Sequence, residues 1–264
     1  MRKTLCFALL LTWLYSWAAA HDTAPGGANL SFRENKGQIV DTRGAQRPDV
    51  LYTANVGGAD LFFQKNRLSY VFPVVQEGAT ASAPASTPLN SGLYRLDLEF
   101  VGSNPYATVV HDQPAPDVAH YYKAHGAFEN VPAFRTITYQ NLYHNIDLVF
   151  HTDGKAFKYD FVVHPGAKVS DIRLRYVAAD DLTLPPEGSL NVTSAYGSIN
   201  DGAPEVYQTA GRNAAKTNVR AKYNVRNGVV TFDVADYDHT RPLVIDPLVL
   251  VWSSFLGGSL QEEF

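Results

Sequence analysis

Apolar and polar residues alternate with a period of two along one segment after another, and that pattern commits the chain to pleated strands. Over residues 94–100, Tyr94, Leu96, Leu98 and Phe100 alternate with Arg95, Asp97 and Glu99, as expected of a sheet with one buried face. Phe157, Tyr159, Phe161 and Val163 alternate with Lys158, Asp160 and Val162, and the apolar run 146–150 reaches them through Asp153-Gly154, which predicts a hairpin. Val219, Ala221, Tyr223 and Val225 form a third alternating set, and Asn227-Gly228 leads from it into Val230, Phe232 and Val234. Asn-Gly accepts the positive φ angles of a type I′ turn, so a two-residue hairpin is expected there. Leu61, Phe63, Leu68, Tyr70 and Phe72 predict another hairpin around Lys65-Asn66, and Ile172, Leu174 and Tyr176 a further strand. No segment holds a 3.6-residue apolar period for three turns. The expected class is all-β, an antiparallel β-sandwich-like module of one lobe or two.

The two ends of the chain carry different signals. Arg2 and Lys3 precede an apolar run over residues 5–17, and Ala18, Ala19 and Ala20 supply the small residues of a cleavage site. Residues 1–20 are therefore expected to be a signal peptide, too short for a bilayer span. Residues 21–30 then form a flexible N-terminus. The only Cys and the only Met are Cys6 and Met1, so the exported body has no thiol chemistry and no cysteine metal site. The leader takes two cations with it, which leaves the body more acidic than the −4 of the whole chain. An acidic body argues against nucleic acid as a partner.

Residues 31–247 are expected to form the all-β domain, with a solvated loop or linker at 76–91 where Ala, Ser, Thr, Pro and Gly follow one another without period. Residues 121–143 are less regular, and Pro132 interrupts any helix, so this stretch is expected to wrap across the sheet surface. Pro242 and Pro247 bracket an apolar strand and make it a plausible stiff joint. Residues 248–258 then read as a strand followed by a Gly-Gly turn with no partner after it. An unpartnered strand suggests that another sheet follows.

Motifs that would fix a chemistry are missing. The chain contains no G-x-S-x-G elbow, no G-x-x-x-x-G-K phosphate loop, no H-E-x-x-H and no Asp-rich calcium loop. Two constellations remain. His120, His125 and His144, out of a group that also includes His111 and His151, could hold a divalent ion if the strands converge. The competing and preferred reading is that they are turn and surface histidines, or buried ones satisfied by backbone carbonyls. Asp147 and Asp160 lie on neighbouring strands of one predicted hairpin and could act as paired carboxylates on a sugar, or simply face solvent. Tyr121, Tyr122, Tyr139, Tyr143 and Tyr159 could offer a stacking face for sugar rings, or fill the core as aromatics in strands do. No cofactor is expected.

Four segments carry a family resemblance. F-R-E-N-K-G-Q at 32–38, N-L-Y-H-N-I-D-L-V-F at 141–150, Y-D-F-V-V-H-P-G-A at 159–167, and R-P-L-V-I-D-P at 241–247 with W-S-S-F-L-G-G at 252–258 occur in order. Together they resemble the uncharacterised N-terminal domain that precedes SBBP-type β-propeller repeats in secreted bacterial surface proteins. The resemblance implies export, surface display, an all-β architecture and no established catalytic residues. It also implies that residues 248–264 begin a first propeller-type repeat, truncated here. The chain departs from that pattern at His144-Asn145, at His120 and over residues 124–130. The expectation is a non-catalytic secreted or cell-surface module that caps or presents a following propeller in adhesion or scaffolding. Its partners would be those repeats and extracellular polysaccharide or surface proteins. The alternative is a carbohydrate-binding or carbohydrate-processing domain that uses the Tyr-rich face.

Overall fold

The computed structural model describes residues 30–75, 91–209, 215–247 and 249–252, and over that span the alternating segments form antiparallel strands. In chain order these begin with β1 (Phe32–Glu34), β2 (Val50–Val56), β3 (Ala59–Gln64), β4 (Arg67–Val75), β5 (Ser91–Phe100), β6 (Thr108–Lys123) and β7 (Gly126–Tyr143). They continue with β8 (Ile146–Thr152), β9 (Phe157–Val163), β10 (Leu174–Val177), β11 (Asp181–Thr183), β12 (Leu190–Ser194) and β13 (Gly197–Asp201). The last are β14 (Glu205–Thr209), β15 (Lys216–Val219), β16 (Ala221–Arg226), β17 (Val229–Val234), β18 (Leu243–Asp246) and β19 (Val249–Trp252). The only helical turn among the described residues is the three-residue 3-10 segment Val169–Asp171.

Two sheets result. The larger has the order β15-β14-β18-β9-β8-β7-β1-β2-β3-β4-β5-β10-β17-β16, with β6 paired to β7 off that path. It curls nearly into a barrel-like shape. The smaller has the order β11-β12-β13-β19. Leu190, Val192 and Ile199 of the small sheet belong to the same buried cluster as Phe63, Phe72, Phe150, Phe161 and Phe232 of the large one. The two layers therefore share one core, in a sandwich-like architecture. Burial follows the period of two wherever a strand has one covered face: in β8 and β9 every second residue, from Ile146 to Thr152 and from Phe157 to Val163, is buried.

The predicted hairpins form with their expected turns. β8 and β9 pair from Ile146↔Val163 to Thr152↔Phe157. β16 and β17 pair around Asn227 at φ 51° and Gly228 at φ 72°, but Val219 does not belong to β16: it ends β15, where it stands opposite Val206 of β14. Ile172 does not extend β10 but caps the 3-10 turn that precedes it. Leu30, the last residue of the expected 21–30 tail, is already tied in, its amide donating to the Gly154 carbonyl at 2.9 Å. The rest of that tail, the leader at 1–20 and the linker at 76–91 lie outside the described residues, except that Ser91 opens β5.

The structure corrects two expectations about the chain's path. Residues 121–143 do not wrap irregularly. They belong to β6 and β7, strands of 16 and 18 residues that pair from Thr108↔Gln140 to Lys123↔Gly126. The period was hidden because no residue of β6 is buried and the register shifts between Pro114 and Val118 and again between Ala119 and Tyr121. A strand with no covered face has no apolar periodicity to show. The strand at 249–252 is also not unpartnered: β19 pairs with β13 from Ser198↔Trp252 to Asp201↔Val249. It is nevertheless the edge of the small sheet among the described residues, and the Gly-Gly turn beyond it lies outside them. Between its two prolines, β18 is an interior strand flanked by β9 and β14.

Candidate functional site

The proposed tyrosine face divides into core and surface. Tyr139 is fully buried and donates to the Gln64 carbonyl at 2.9 Å. Tyr143 is buried and donates to the Arg173 carbonyl at 2.9 Å, and Tyr159 is buried against Asp201. Burial pushes all three phenols far above their ordinary range. None of the three can stack on an external sugar. Tyr121 and Tyr122 stay accessible on the far end of β6. Tyr122 is 72% exposed and donates to Glu129 across the hairpin at 3.1 Å, while the Lys123 ammonium sits 5.8 Å from the Tyr121 ring centre.

Asp147 and Asp160 share the outer face of the β8–β9 hairpin but do not face each other. Asp147 stands opposite Val162, and Asp160 opposite Val149. Each is taken up by its own histidine. His164 Nε2 lies 2.9 Å from Asp147 Oδ2, and the Asn141 amide donates to the other oxygen at 2.7 Å. His151 Nε2 lies 3.0 Å from Asp160 Oδ2. The interaction with Asp160 raises the His151 pKa against the opposing effect of burial. Asp246 of β18 lies near Asp160, and burial followed by that neighbouring charge pushes its carboxyl above the ordinary carboxylate range. Two separate His–Asp pairs anchored to sheet positions differ from the facing pair of free carboxyls that glycoside hydrolysis uses.

The three candidate metal histidines do not converge. His125 is at the turn joining β6 to β7 and His144 just past the other end of β7, roughly 60 Å away along an extended strand. His125 lies 3.3 Å from the Gly37 carbonyl, and His120 Nδ1 accepts weakly from the Asn130 amide at 3.4 Å. His111 stacks on Phe134 and bonds the Tyr52 hydroxyl at 2.8 Å. No group of three or more metal-ligating side chains occurs among the described residues.

The polar group of greatest consequence is one that motif reading passed over. Asp201 is 1% exposed on β13, and its Oδ2 accepts hydrogen bonds from Tyr159 on β9 at 2.9 Å and from Tyr176 on β10 at 3.0 Å. Burial pushes its carboxyl up to about 6, opposed by the two tyrosine donors. A carboxylate inside a core is costly unless well paired. The signal in the sequence was register alone: Asp201 lies two residues after Ile199, which is buried on the same face of β13.

The arrangement defines an all-β antiparallel module whose buried polar groups link its sheets and whose accessible tyrosine pair sits on a long hairpin. The chain belongs to the family described as a domain of unknown function (DUF7948), whose profile matches residues 32–248. No curated protein and no solved structure matches it.

Proposed function

We propose that the chain is a non-catalytic β module, exported to the bacterial surface, that caps or presents a following β-propeller in adhesion or scaffolding. The observation that carries this reading is the position of β19 at the edge of the small sheet, paired with β13 on one side. An edge strand offers a row of backbone donors and acceptors to a further strand. The resemblance of the 241–247 and 252–258 segments to the lead-in of SBBP-type repeats gives that further strand an origin. Hydrogen exchange on this chain and on one extended by the downstream reading frame tests the reading. Amides at 249–252 should exchange more slowly in the longer protein. Equal exchange, or a stop codon directly after residue 264, would refute it.

A second reading rests on Tyr122, exposed on β6 beside the half-buried Tyr121. Tyr121 and Tyr122 could stack on sugar rings of an extracellular polysaccharide. A glycan array with the parent and the Tyr121→Ala/Tyr122→Ala variant decides it. Loss of a bound glycan in the variant supports the reading, and undiminished binding sinks it.

A further inference from the structure

We infer that Asp201 is a pH-responsive tie between the two sheets, holding the small sheet and the β19 strand paired to it more firmly when its carboxyl is protonated than when it is charged. The geometry is that of a single acid placed between layers. Asp201 belongs to the small sheet, while its two donors, Tyr159 on β9 and Tyr176 on β10, stand on strands toward opposite ends of the large one. Both hydroxyls reach the same oxygen, Oδ2, and the other oxygen, Oδ1, is buried with no hydrogen-bond partner. No ion pair among the described residues includes Asp201.

Among the described residues, the titratable groups that face it are all phenols. They are Tyr159 of β9, Tyr176 of β10, Tyr70 of β4 and Tyr223 of β16, whose hydroxyl donates to the adjacent Gly202 carbonyl at 3.2 Å. Burial raises every one of them, so they stay neutral across the physiological range and provide no counter-charge. A charged Asp201 is stabilised in this site by two neutral donors alone, whereas a solvated one is stabilised by water.

Opening the small sheet away from the large one returns Asp201 to solvent, where its carboxyl titrates in the ordinary range near 3.8, against about 6 when docked. The docked form therefore holds the proton more tightly. Its contribution is fully present below the solvated value, declines as pH rises between the two, and is constant above the docked one. Asp201 pairs directly with Val249, so the same event loosens β19.

Hydrogen exchange on the whole chain at pH 5 and pH 7.5, corrected for intrinsic exchange rates, tests this. The opening equilibrium of residues 190–201 and 249–252 should rise about ten-fold from pH 5 to pH 7.5. In Asp201→Asn it should be the same at both. Unchanged protection in the parent, or an equal pH dependence in the variant, overturns the inference. Where Asp201→Asn does not fold, the carboxyl carbon shift of Asp201 in the parent is titrated by NMR. A midpoint near 6 supports the tie, and one near 4 overturns it.

Discussion

Replacing Gly197 by alanine sets a methyl group where the edge of the Phe72 ring already lies. A Cβ built there would sit 2.5 Å from Phe72 Cε1, 2.6 Å from Cδ1 and 2.9 Å from Cζ. Carbon atoms in comfortable contact are about 3.5–4.0 Å apart, so the ring would have to retreat by about 1 Å. It has nowhere to go, because Phe72 is fully buried in the shared core. Gly197 itself is not in the left-handed region, so the cost is steric and not conformational. Overpacking of this kind costs about 1–3 kcal/mol, a large fraction of an ordinary domain's stability. Urea denaturation measures it. A shorter side chain at the other side of the contact should relieve it: Phe72→Leu alone loses on the order of 1–2 kcal/mol of packing. In the double variant the two losses should fall short of their sum by about 1 kcal/mol or more. A Gly197→Ala protein within about 0.5 kcal/mol of the parent, or strictly additive losses, would refute the claim that the small sheet docks on Phe72 at this point.

The raised pKa of His151 gives a second expectation. A histidine held above its ordinary pKa contributes stability that is present below that value and lost as pH rises through the raised one. Asp160→Asn should therefore flatten the fall in melting temperature between pH 6 and pH 8. The effect is under about 1 kcal/mol because the pair is partly solvated, and parallel profiles for parent and variant would contradict it. Tyr159→Phe removes one of the two donors to Asp201, and urea denaturation at pH 7.5 should show a loss of about 1.5–3 kcal/mol, the range for hydrogen bonds to a charged group. A loss below about 0.5 kcal/mol would mean that Asp201 is not charged there or has found another donor.

The burial of Tyr159 shows how far the sequence carries. Tyr159 lies between Phe157 and Phe161 with a period of two, so its place on the core face was already legible beside its candidacy for a sugar-stacking surface. Tyr121 and Tyr122 offered no such guide, because β6 buries neither face and its register shifts twice. Asp147 and Asp160 were correctly placed on one hairpin, but the pairing that sets Asp147 against Val162 and Asp160 against Val149 keeps them from meeting. The histidines failed as a set because their spacing in sequence became the length of one strand and its turns.

By itself the sequence determined the strands that alternate clearly, such as β5, β8, β9 and β17, together with the Asn227-Gly228 turn and the inward side of those segments, since these follow from the pleat and from local φ preferences. Only the tertiary structure decided that β19 lies along β13 and that Gly197 yields to Phe72. It also decided that one carboxyl on the small sheet would meet two tyrosines of the large one. Those outcomes depend on which distant strands pair and which layers face each other, and an alternating pattern fits many pairings equally well.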